Sequence, residues 1–447
     1  MKIDFARNLA VKALYRIEED KSYSNLVLDE ILNNNREKLT NKDIGFISEL
    51  VYGSTTWKLT LDTIIQEYSN IKLKKISGIV KSILRIGAYQ IIFLDKIPKS
   101  AAVNESVNLC KKYAGKSSGF VNAILRKINK DDLKKLDKIE NIEERISKTT
   151  SMPIWIVKKL IDELGEENAK RICINSNIRP KMSIRVNSLK TNKQELIERL
   201  KEKNIELENG KLNDFIYLDS VKNVANLSEY TNGLFTMQDE AAALTALVLC
   251  PKDGENILDC CSAPGGKTTY MAELMHNIGT IKAWDLYENR LNLVNENSKR
   301  LGIKIIKTNV KDSTKLNEED IKKYDKVLLD VPCLGLGVIR RKPDIKWQRQ
   351  EEDVKEIQKT QIEIINTCSK YVKKGGKLLY STCSILKEEN EDIINKFLKE
   401  NINFKIINPY NDNLNEFKNN IVDEKYINLY PNKYNDGFFI CLLERVN

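Results

Sequence analysis

Residues 257–268 decide the fold of the C-terminal half, and they read Ile257-Leu258-Asp259-Cys260-Cys261-Ser262-Ala263-Pro264-Gly265-Gly266-Lys267-Thr268. The apolar start favours a short buried strand, and the paired glycines favour a tight turn into a helix. Glycine lets a backbone approach a ligand closely, and the following helix offers unpaired N-terminal amides. The pattern predicts a strand–loop–helix unit with a ligand at its loop, although a tight turn without a ligand would have the same pattern.

Two well-known glycine loops do not fit this stretch. A P-loop needs glycine five positions before the glycine of Gly266-Lys267-Thr268, and Cys261 stands there. The dinucleotide fingerprint Gly-x-Gly-x-x-Gly is also absent from the loop. The candidate cofactor-binding residues are therefore those of the loop itself, namely Cys261, Ser262, Ala263, Pro264, Gly265, Gly266 and Lys267.

Strands and helices alternate from residue 235 to the end of the chain. The candidate strands are Ile257–Asp259, Thr280–Asp285, Lys304–Lys307, Lys326–Asp330, Lys377–Thr382 and Gly437–Leu443. Such alternation predicts a doubly wound, mainly parallel sheet, which we assign to one domain of residues 235–447. In open sheets of this kind, ligands bind beyond the carboxyl ends of the strands.

Acidic residues follow two of these strands. Asp285 ends the second strand, about 20 residues past the glycines, where a carboxylate suits the hydroxyls of a ribose. Asp312 follows the third strand and suits an adenine amino group. Each acid alone would also serve as a helix N-cap. Together with the loop, they indicate an adenosine-type cofactor without a phosphate clamp, which fits S-adenosylmethionine better than ATP or NAD.

Two cysteines lie at the ends of neighbouring predicted strands. The fourth strand runs into Asp330-Val331-Pro332-Cys333, and the fifth runs into Ser381-Thr382-Cys383-Ser384. Both thiols then face the predicted cofactor cleft, which suits nucleophilic catalysis, whereas burial as small apolar side chains is the alternative. The only histidine, His276, follows a helix and is expected to be a surface cap, which argues against histidine-based catalytic triads.

Two regions precede the alternating pattern. Residues 1–135 carry apolar positions at helical spacing, and no alternating strand competes, so an all-helical domain is predicted. Within it, Thr40 and Asp43 resemble a capping box. Residues 136–234 begin as a polar linker and continue through helices and a strand at Met182–Val186, which predicts a small α/β module.

The composition limits the classes of protein to which the chain can belong. It has 447 residues, a net charge of +10 and nine cysteines without a Cys-x-x-Cys pair. We find no transmembrane run and no signal-peptide pattern, so a cytoplasmic protein without membrane contact is expected. Neither disulfides nor a metal site is expected. The positive charge suits a polyanionic partner, although abundant Lys, Asn and Ile throughout the chain fit codon bias as well. Nothing suggests an obligate dimer, so a monomer is expected.

Several runs carry a resemblance to a known family, the RNA cytosine-C5 methyltransferases of the NOL1/NOP2/Sun group. The matching runs are Leu258–Thr268, Asp330–Cys333, Ser381–Ser384, Arg185–Asn187, Gln238–Glu240 and Gly337–Trp347. The last of these resembles bacterial members that act on 16S ribosomal RNA, and the N-terminal domain resembles the RNA-binding factor NusB. The resemblance implies a multidomain fold with an all-α NusB-like domain, a small α/β RNA-binding module and a Rossmann-like class I methyltransferase domain.

The resemblance also implies roles for the residues at the strand ends. In the family's pattern Cys383 is the nucleophile that adds to C6 of cytosine, Cys333 assists product release, and Asp330 binds the base edge and lines the cofactor pocket. The spacing of the residues alone leaves either cysteine as the nucleophile. One departure from the family is Leu334, which stands where serine is usual, so an altered loop is expected there.

Basic residues follow Cys333 closely and predict RNA contacts. The expected RNA-binding residues are Arg340, Arg341, Lys342, Lys346 and, in the small module, Arg185. Basic side chains beside Trp347 suit a phosphate and a stacked base, whereas a solvated loop with Trp347 in the core is the alternative. The expected partner is small-subunit ribosomal RNA with a single-stranded or flipped-out cytosine, since C6 must be reached from the face of the base.

Three other functions are less consistent with these motifs. An exocyclic-amine methyltransferase would have Asn/Asp-Pro-Pro-Tyr/Phe after the fourth strand, and this chain does not. A DNA methyltransferase would be expected to carry a target-recognition insertion between the catalytic strands. A non-catalytic RNA-binding or antitermination factor fits the N-terminal domain but leaves the loop and both cysteines unexplained.

Overall fold

The computed structural model describes residues 3–219, 221 and 224–447 and divides the chain into two compact units. The first comprises the residues up to Ile178 together with Ile339–Glu351, and the second comprises Arg179–Val338 and Glu352–Asn447. Helices continue past residue 135, so residues 136–178 group with the helical part of the chain. The division into three domains at residues 135 and 234 stays a prediction.

The α-helices account for most of the first unit and for the connections of the second. In chain order they are α1 (Phe5–Glu19), α2 (Ser24–Asn34), α3 (Asn41–Thr56), α4 (Lys58–Glu67), α5 (Gly78–Phe93), α6 (Lys99–Ala114), α7 (Ser118–Lys127), α8 (Asp132–Leu136), α9 (Ile142–Thr150), α10 (Ile154–Leu164), α11 (Glu166–Asn175), α12 (Lys193–Glu202), α13 (Ser228–Thr231), α14 (Glu240–Leu249), α15 (Gly266–Leu274), α16 (Glu288–Leu301), α17 (Ile345–Gln348), α18 (Asp353–Cys368) and α19 (Glu391–Glu400).

The β-strands of the described residues all lie in the second unit. In chain order they are β1 (Met182–Val186), β2 (Leu207–Asn209), β3 (Phe215–Leu218), β4 (Phe235–Met237), β5 (Asn256–Asp259), β6 (Thr280–Asp285), β7 (Ile306–Val310), β8 (Tyr324–Asp330), β9 (Val372–Thr382), β10 (Phe404–Ile406), β11 (Ile421–Val422), β12 (Tyr426–Leu429) and β13 (Phe438–Arg445).

The helical unit is built around α5, in which almost every residue from Val80 to Ile92 is buried. An apolar stripe on α1 and the inner faces of α3, α4 and α6 complete the core. The capping box predicted at the start of α3 is confirmed, because the Thr40 hydroxyl accepts from the Asp43 amide and the Asp43 carboxylate accepts from the Thr40 amide. No helix among the described residues is long and apolar enough to cross a membrane.

Two sheets form the second unit. The smaller sheet is antiparallel, in the order β2-β3-β1-β4, and packs its apolar face on α12. The larger sheet has the order β11-β12-β13-β9-β8-β5-β6-β7, with β10 paired to β13. Strands β7, β6, β5, β8 and β9 are parallel, and β13 runs antiparallel to β9. The predicted parallel core is confirmed, and the antiparallel edge makes the sheet mixed.

The register of the larger sheet sets which side chains meet at its carboxyl edge. Asp330 at the end of β8 pairs with Ser381 near the end of β9. Strand β5 lies on the other side of β8, and its Asp259 pairs with Leu328 of β8 and with Ala283 of β6. The loops that follow β5, β6, β8 and β9 therefore leave the sheet at the same edge, which is the edge predicted to bind ligands.

Candidate active site

The loop between β5 and α15 is held by buried hydrogen bonds at the carboxyl edge of the sheet. The Thr268 hydroxyl donates to Asp259 Oδ2 over 2.7 Å, and the Ser262 amide donates to the Trp284 carbonyl over 2.8 Å. Gly265 has φ +99°, and a Cβ there would press on the backbone of Val294 at 3.2 Å. Only glycine fits both constraints, which explains this glycine of the predicted cofactor loop.

Three buried polar atoms around this loop have no hydrogen-bond partner among the described residues: Asp259 Oδ1, Ser262 Oγ and Gln238 Nε2. The Gln238 amide lies 3.7 Å from the position that a Cβ of Gly266 would take. Burial, together with the charge of nearby Asp330, raises the pKa of Asp259 to about 7, although the Thr268 hydroxyl opposes this shift. Unpaired buried polar groups are costly, so donors and acceptors are available here for a polar ligand.

The two acids predicted to bind the cofactor have different surroundings. Asp285 is buried at the end of β6, where it accepts from the amides of Ala263 and Tyr287, each at 3.3 Å, and pairs with Arg290. Asp312 is half-buried, and its Oδ1 accepts from both the amide and the hydroxyl of Thr314. The Thr314 hydroxyl is the main cause of the lowered pKa of Asp312. Asp285 thus borders the loop, whereas Asp312 also caps its own turn.

The two strand-end cysteines lie side by side. Cys333 Sγ and Cys383 Sγ are 3.2 Å apart, and both residues are half-buried. Hydrogen bonding with Cys383, followed by burial, raises the pKa of Cys333 well above its usual range. Cys333 is therefore held as the neutral thiol, which is able to donate its proton towards Cys383.

An ion pair lies beside the cysteines and joins the loop to β8. The Lys267 ammonium is 2.6 Å from Asp330 Oδ2, and the Ser381 hydroxyl donates to Asp330 Oδ1 over 3.0 Å. Burial lowers the pKa of Lys267, but the negative charge of Asp330 and the hydrogen bond with its carboxylate raise that pKa on balance. Lys267, predicted only to bind the cofactor, thus connects the loop with the site of both cysteines.

Sequence reasoning missed Glu389, which holds the two cysteine loops together. This buried carboxylate accepts from the Leu334 amide over 2.9 Å, from the Gln361 amide group over 3.1 Å and from the Ser384 hydroxyl. Leu334 directly follows Cys333, and Ser384 directly follows Cys383. The sequence Lys387-Glu388-Glu389-Asn390-Glu391 reads as a solvated helix start, so no local signal marks one of its acids as buried.

Asn390 and Gly337 hold the Cys383 loop from its other sides. Asn390 accepts from the Thr382 hydroxyl over 2.6 Å and donates to the Ser384 carbonyl over 3.2 Å. The Gly337 amide donates to the Cys383 carbonyl over 2.8 Å, and the Gly437 amide donates to the Gly337 carbonyl over 2.9 Å. Each neighbour of Cys383 is thereby fixed by a hydrogen bond, while its own side chain stays half-buried beside Cys333.

Arg185 does not reach the surface, which corrects its predicted role in RNA binding. This fully buried side chain binds both oxygens of Glu273, with Nη2–Oε1 at 2.7 Å and Nε–Oε2 at 3.0 Å. It also donates to the Gly266 carbonyl over 2.9 Å and to the Thr269 hydroxyl over 3.2 Å. Arg185 therefore anchors the first turn of α15 and leaves no group for a phosphate.

Lys346 requires the same correction. It is 1% exposed, and its ammonium donates to the carbonyls of Thr56 and Ser151 and to the Asn177 side chain over 2.7–3.0 Å. Burial lowers the pKa of Lys346 to about 7. Its interior position excludes the predicted phosphate contact. Trp347 is half-buried.

The other predicted RNA contacts lie nearer the surface. Lys342 is exposed, and Arg340 and Arg341 are half-buried, so their RNA contacts stay a prediction. These residues belong to the helical unit, whereas the cysteines belong to the sheet-containing unit. His276 is exposed as expected and lies 3.0 Å from Asp253.

Comparisons with protein families match most of the chain. The model of the 16S rRNA methyltransferase RsmB/F family matches residues 246–444. The NusB family matches residues 5–130, and the ferredoxin-like domain of RsmF/B-like methyltransferases matches residues 152–225. The N-terminal NusB-like domain and the C-terminal methyltransferase domain are thereby confirmed, and the small module between them is ferredoxin-like.

Curated relatives align with at least 90% of the chain. The probable ribosomal RNA small subunit methyltransferase B of Bacillus subtilis (strain 168) is 36% identical over 452 residues, which cover 100% of both chains. The ribosomal RNA small subunit methyltransferase B of Shewanella oneidensis is 35% identical over 409 residues, which cover 90% of this chain and 91% of the relative.

Solved structures agree with this alignment. The crystal structure of PH0851 is similar with a TM-score of 0.80 at 27% identity, covering 100% of each chain. The crystal structure of NSun6 from Pyrococcus horikoshii with SFG, an analogue of S-adenosylmethionine, has a TM-score of 0.59 at 25% identity. That match covers 66% of this chain and 98% of NSun6.

Proposed function

Since this chain belongs to the family of ribosomal RNA small subunit methyltransferase B, we propose that it transfers a methyl group from S-adenosylmethionine to C5 of a cytosine in small-subunit ribosomal RNA. The proposal includes a covalent bond between Cys383 and C6 of that cytosine. The observation that carries it is the pair of thiols 3.2 Å apart at the ends of β8 and β9, beside the Lys267–Asp330 ion pair. A methyltransferase that used no covalent intermediate would not need two adjacent thiols there.

The residues around the β5–α15 loop fit the cofactor. In the proposed arrangement the Cys261–Lys267 loop and Gln238 surround the methionine part, and Asp285 binds the ribose hydroxyls. Asp312 binds the adenine amino group. The unpaired buried atoms of Asp259, Ser262 and Gln238 support a polar ligand at this loop. When bound, S-adenosylmethionine supplies an electrophilic methyl carbon.

Covalent catalysis overcomes the poor nucleophilicity of cytosine C5. The Cys383 thiolate forms a bond to C6, the displaced π electrons move to N3, and N3 takes up a proton. The C4–C5 bond thereby becomes enamine-like, and C5 forms a bond to the methyl carbon while the bond from that carbon to the sulfonium sulfur breaks and S-adenosylhomocysteine leaves with the electron pair. The C4–N3 double bond re-forms at the same time, and N3 then gives up its proton. Asp330 binds the base edge at N3. The Lys267 ammonium, which donates to Asp330 Oδ2, stabilises the negative charge of this carboxylate and of the thiolate that attacks C6.

Release of the product needs a second proton transfer. A base removes the C5 proton, its electron pair re-forms the C5–C6 double bond, and the bond from C6 to sulfur breaks to return the Cys383 thiolate. Cys333 assists this elimination in the proposal. Support comes from its raised pKa, since a neutral thiol next to the leaving sulfur is able to give and take a proton without competing as a nucleophile.

The proposed substrate is an unpaired or flipped-out cytosine, because addition at C6 requires access to the face of the base. The net charge of +10 and the exposed Lys342 support binding to RNA. The NusB-like domain supports further contacts with the same RNA.

The test compares unmodified small-subunit ribosomal RNA with a DNA of the same sequence, using S-adenosylmethionine labelled in the methyl group. Bisulfite sequencing then maps the product. We expect label on the RNA and one or a few protected cytosines. Label on an exocyclic amine, or on DNA at an equal rate, would contradict the proposal. A wild-type chain that labels no RNA would leave a non-catalytic RNA-binding factor as the better account.

A further inference from the structure

The helical unit contains a cavity of about 450 Å³ that the chemistry described above does not use. Its walls come from α4, α9 and α10 and from the Ile339–Glu351 segment. They include two indoles, Trp155 and Trp347, and the apolar side chains of Leu59 and Ile154. Small-molecule sites typically have volumes of roughly 300–1,000 Å³, so one nucleotide is of suitable size.

Trp347 is fixed before any ligand binds. Its indole N–H donates to the Thr55 carbonyl over 2.7 Å, and the Lys58 ammonium lies 5.6 Å from its ring centre. The neighbouring Lys346 ties the segment to the helices through its three hydrogen bonds. An aromatic wall held in this way loses little conformational entropy when a flat ring stacks on it.

The charged groups of the cavity favour an anion. The cations that line it with donors to spare are Lys148 and Arg349, because the buried Lys346 already donates to three protein acceptors. The one acid among the lining residues is Glu144, which pairs with Lys148 over 2.7 Å. Arg349 Nε is buried and has no hydrogen-bond partner among the described residues. A buried N–H without an acceptor is unfavourable, and an oxygen of a phosphate or of a base edge would satisfy it.

We propose that this cavity, lined by Trp155, Trp347, Lys148 and Arg349, binds an unpaired nucleotide of the RNA substrate. The base stacks on an indole, and an oxygen of the nucleotide accepts from Arg349 Nε. The inference rests on the proposed function, because it takes RNA as the substrate. Indoles that line a basic cavity suit a nucleic-acid base, since every base has a π-face and a phosphate nearby. An acidic protein segment would match the charge but would not need two indoles.

The experiment measures binding of the full chain to small-subunit ribosomal RNA transcribed with 4-thiouridine, without S-adenosylmethionine. We expect Trp155→Ala to weaken binding by about 5- to 100-fold, as loss of one stacked base does, and Trp155→Phe to restore most of it. Arg349→Met is expected to weaken binding as well. The control is Tyr15→Ala, which removes an exposed aromatic of the same unit outside the cavity.

Photocrosslinking of the wild type gives an independent readout that no folding defect of a variant affects. After irradiation, mass spectrometry should find nucleotides attached to the peptides that contain Trp155 or Trp347. Crosslinks confined to other peptides, or equal affinity of Trp155→Ala and Tyr15→Ala, would overturn the proposal. A cavity variant that binds naked RNA with normal affinity but binds protein-containing subunit particles poorly would also overturn the proposal, because the cavity would then be occupied by a protein. Binding is measured without methyl transfer, so failure of the proposed chemistry is seen separately.

Discussion

Replacing Glu389 tests whether one buried carboxylate holds both cysteine loops in place. Glu389→Ala removes the acceptor of the Leu334 amide and of the Ser384 hydroxyl. The Leu334 amide is then left without an acceptor among the described residues, whereas the Ser384 hydroxyl is able to rotate towards another one. Gln361 keeps its bond to the Pro332 carbonyl at 3.1 Å. A buried donor left unpaired costs roughly 1–3 kcal/mol. With the cavity left by the carboxylate, we expect a total loss of about 3 kcal/mol.

A loss of this size is measurable in two assays. In a domain of this size it should lower the Tm by roughly 6–12 °C. It should also lower kcat for methyl transfer by about 10- to 100-fold at a temperature where the variant is folded, because small displacements of reacting groups are costly. Glu389→Gln keeps an oxygen for the Leu334 amide and should retain most stability and activity.

The matched control is Glu388→Ala. This variant removes the half-buried carboxylate of the preceding residue and changes the net charge by the same amount as Glu389→Ala. We expect this variant to resemble the wild type in both assays. Equal effects of Glu388→Ala and Glu389→Ala on Tm and kcat would refute the assignment. A stable Glu389→Ala variant with full kcat would refute it as well.

Three further predictions concern other parts of the chain. Arg185→Lys should raise the KM for S-adenosylmethionine about 10-fold and leave the KM for RNA unchanged, since the hydrogen bonds it loses hold the cofactor loop and include the one to the Gly266 carbonyl. A rise confined to the KM for RNA would contradict the buried role of Arg185. Gly337→Ala should lower the kcat of methyl transfer to a small fraction of the wild-type value. The added Cβ would overlap the Gly437 carbonyl oxygen and displace the residue 337 amide from the Cys383 carbonyl that it binds. Full activity of this variant would contradict the prediction. Burial raises the pKa of Glu18, but the positive charges of Arg85 and Lys58 outweigh it and lower this pKa from 4.5 to about 2. The ionised carboxylate should therefore contribute roughly 3 kcal/mol to the free energy of unfolding above pH 4.5, and this contribution should be lost as the pH falls towards 2. Acid unfolding followed by circular dichroism should show this loss, and Glu18→Gln should not.

The repeating pattern of the sequence was enough to predict the parallel strands of the larger sheet, its strand β13 and the position of both cysteines, but not the short strands β10, β11 and β12. β1 and β6 have the predicted bounds, because each is buried along most of its length and ends at a polar turn. β7 was predicted at 304–307 but lies at Ile306–Val310. As the outer strand it is half exposed, so it lacks the apolar run that marks a buried strand.

Roles that depend on distant contacts were not predictable in the same way. Arg185 and Lys346 each read as a surface cation, since lysine and arginine are rarely buried without partners. The partners of Arg185 lie more than 50 positions away, and those of Lys346 more than 160. Glu389 looked solvated for the same reason. Local sequence shows the charge of such residues but not the carbonyls or carboxylates that three-dimensional packing brings to them.

The central claim, that Cys383 is the nucleophile and Cys333 assists release, is tested most directly by trapping the bond between protein and RNA. Wild type, Cys383→Ala and Cys333→Ala are incubated with unmodified small-subunit ribosomal RNA and S-adenosylmethionine and separated on denaturing gels. We expect a stable RNA adduct to accumulate with Cys333→Ala and no adduct or methyl transfer with Cys383→Ala. An adduct that persists in Cys383→Ala would contradict the assignment and exchange the roles of the two cysteines.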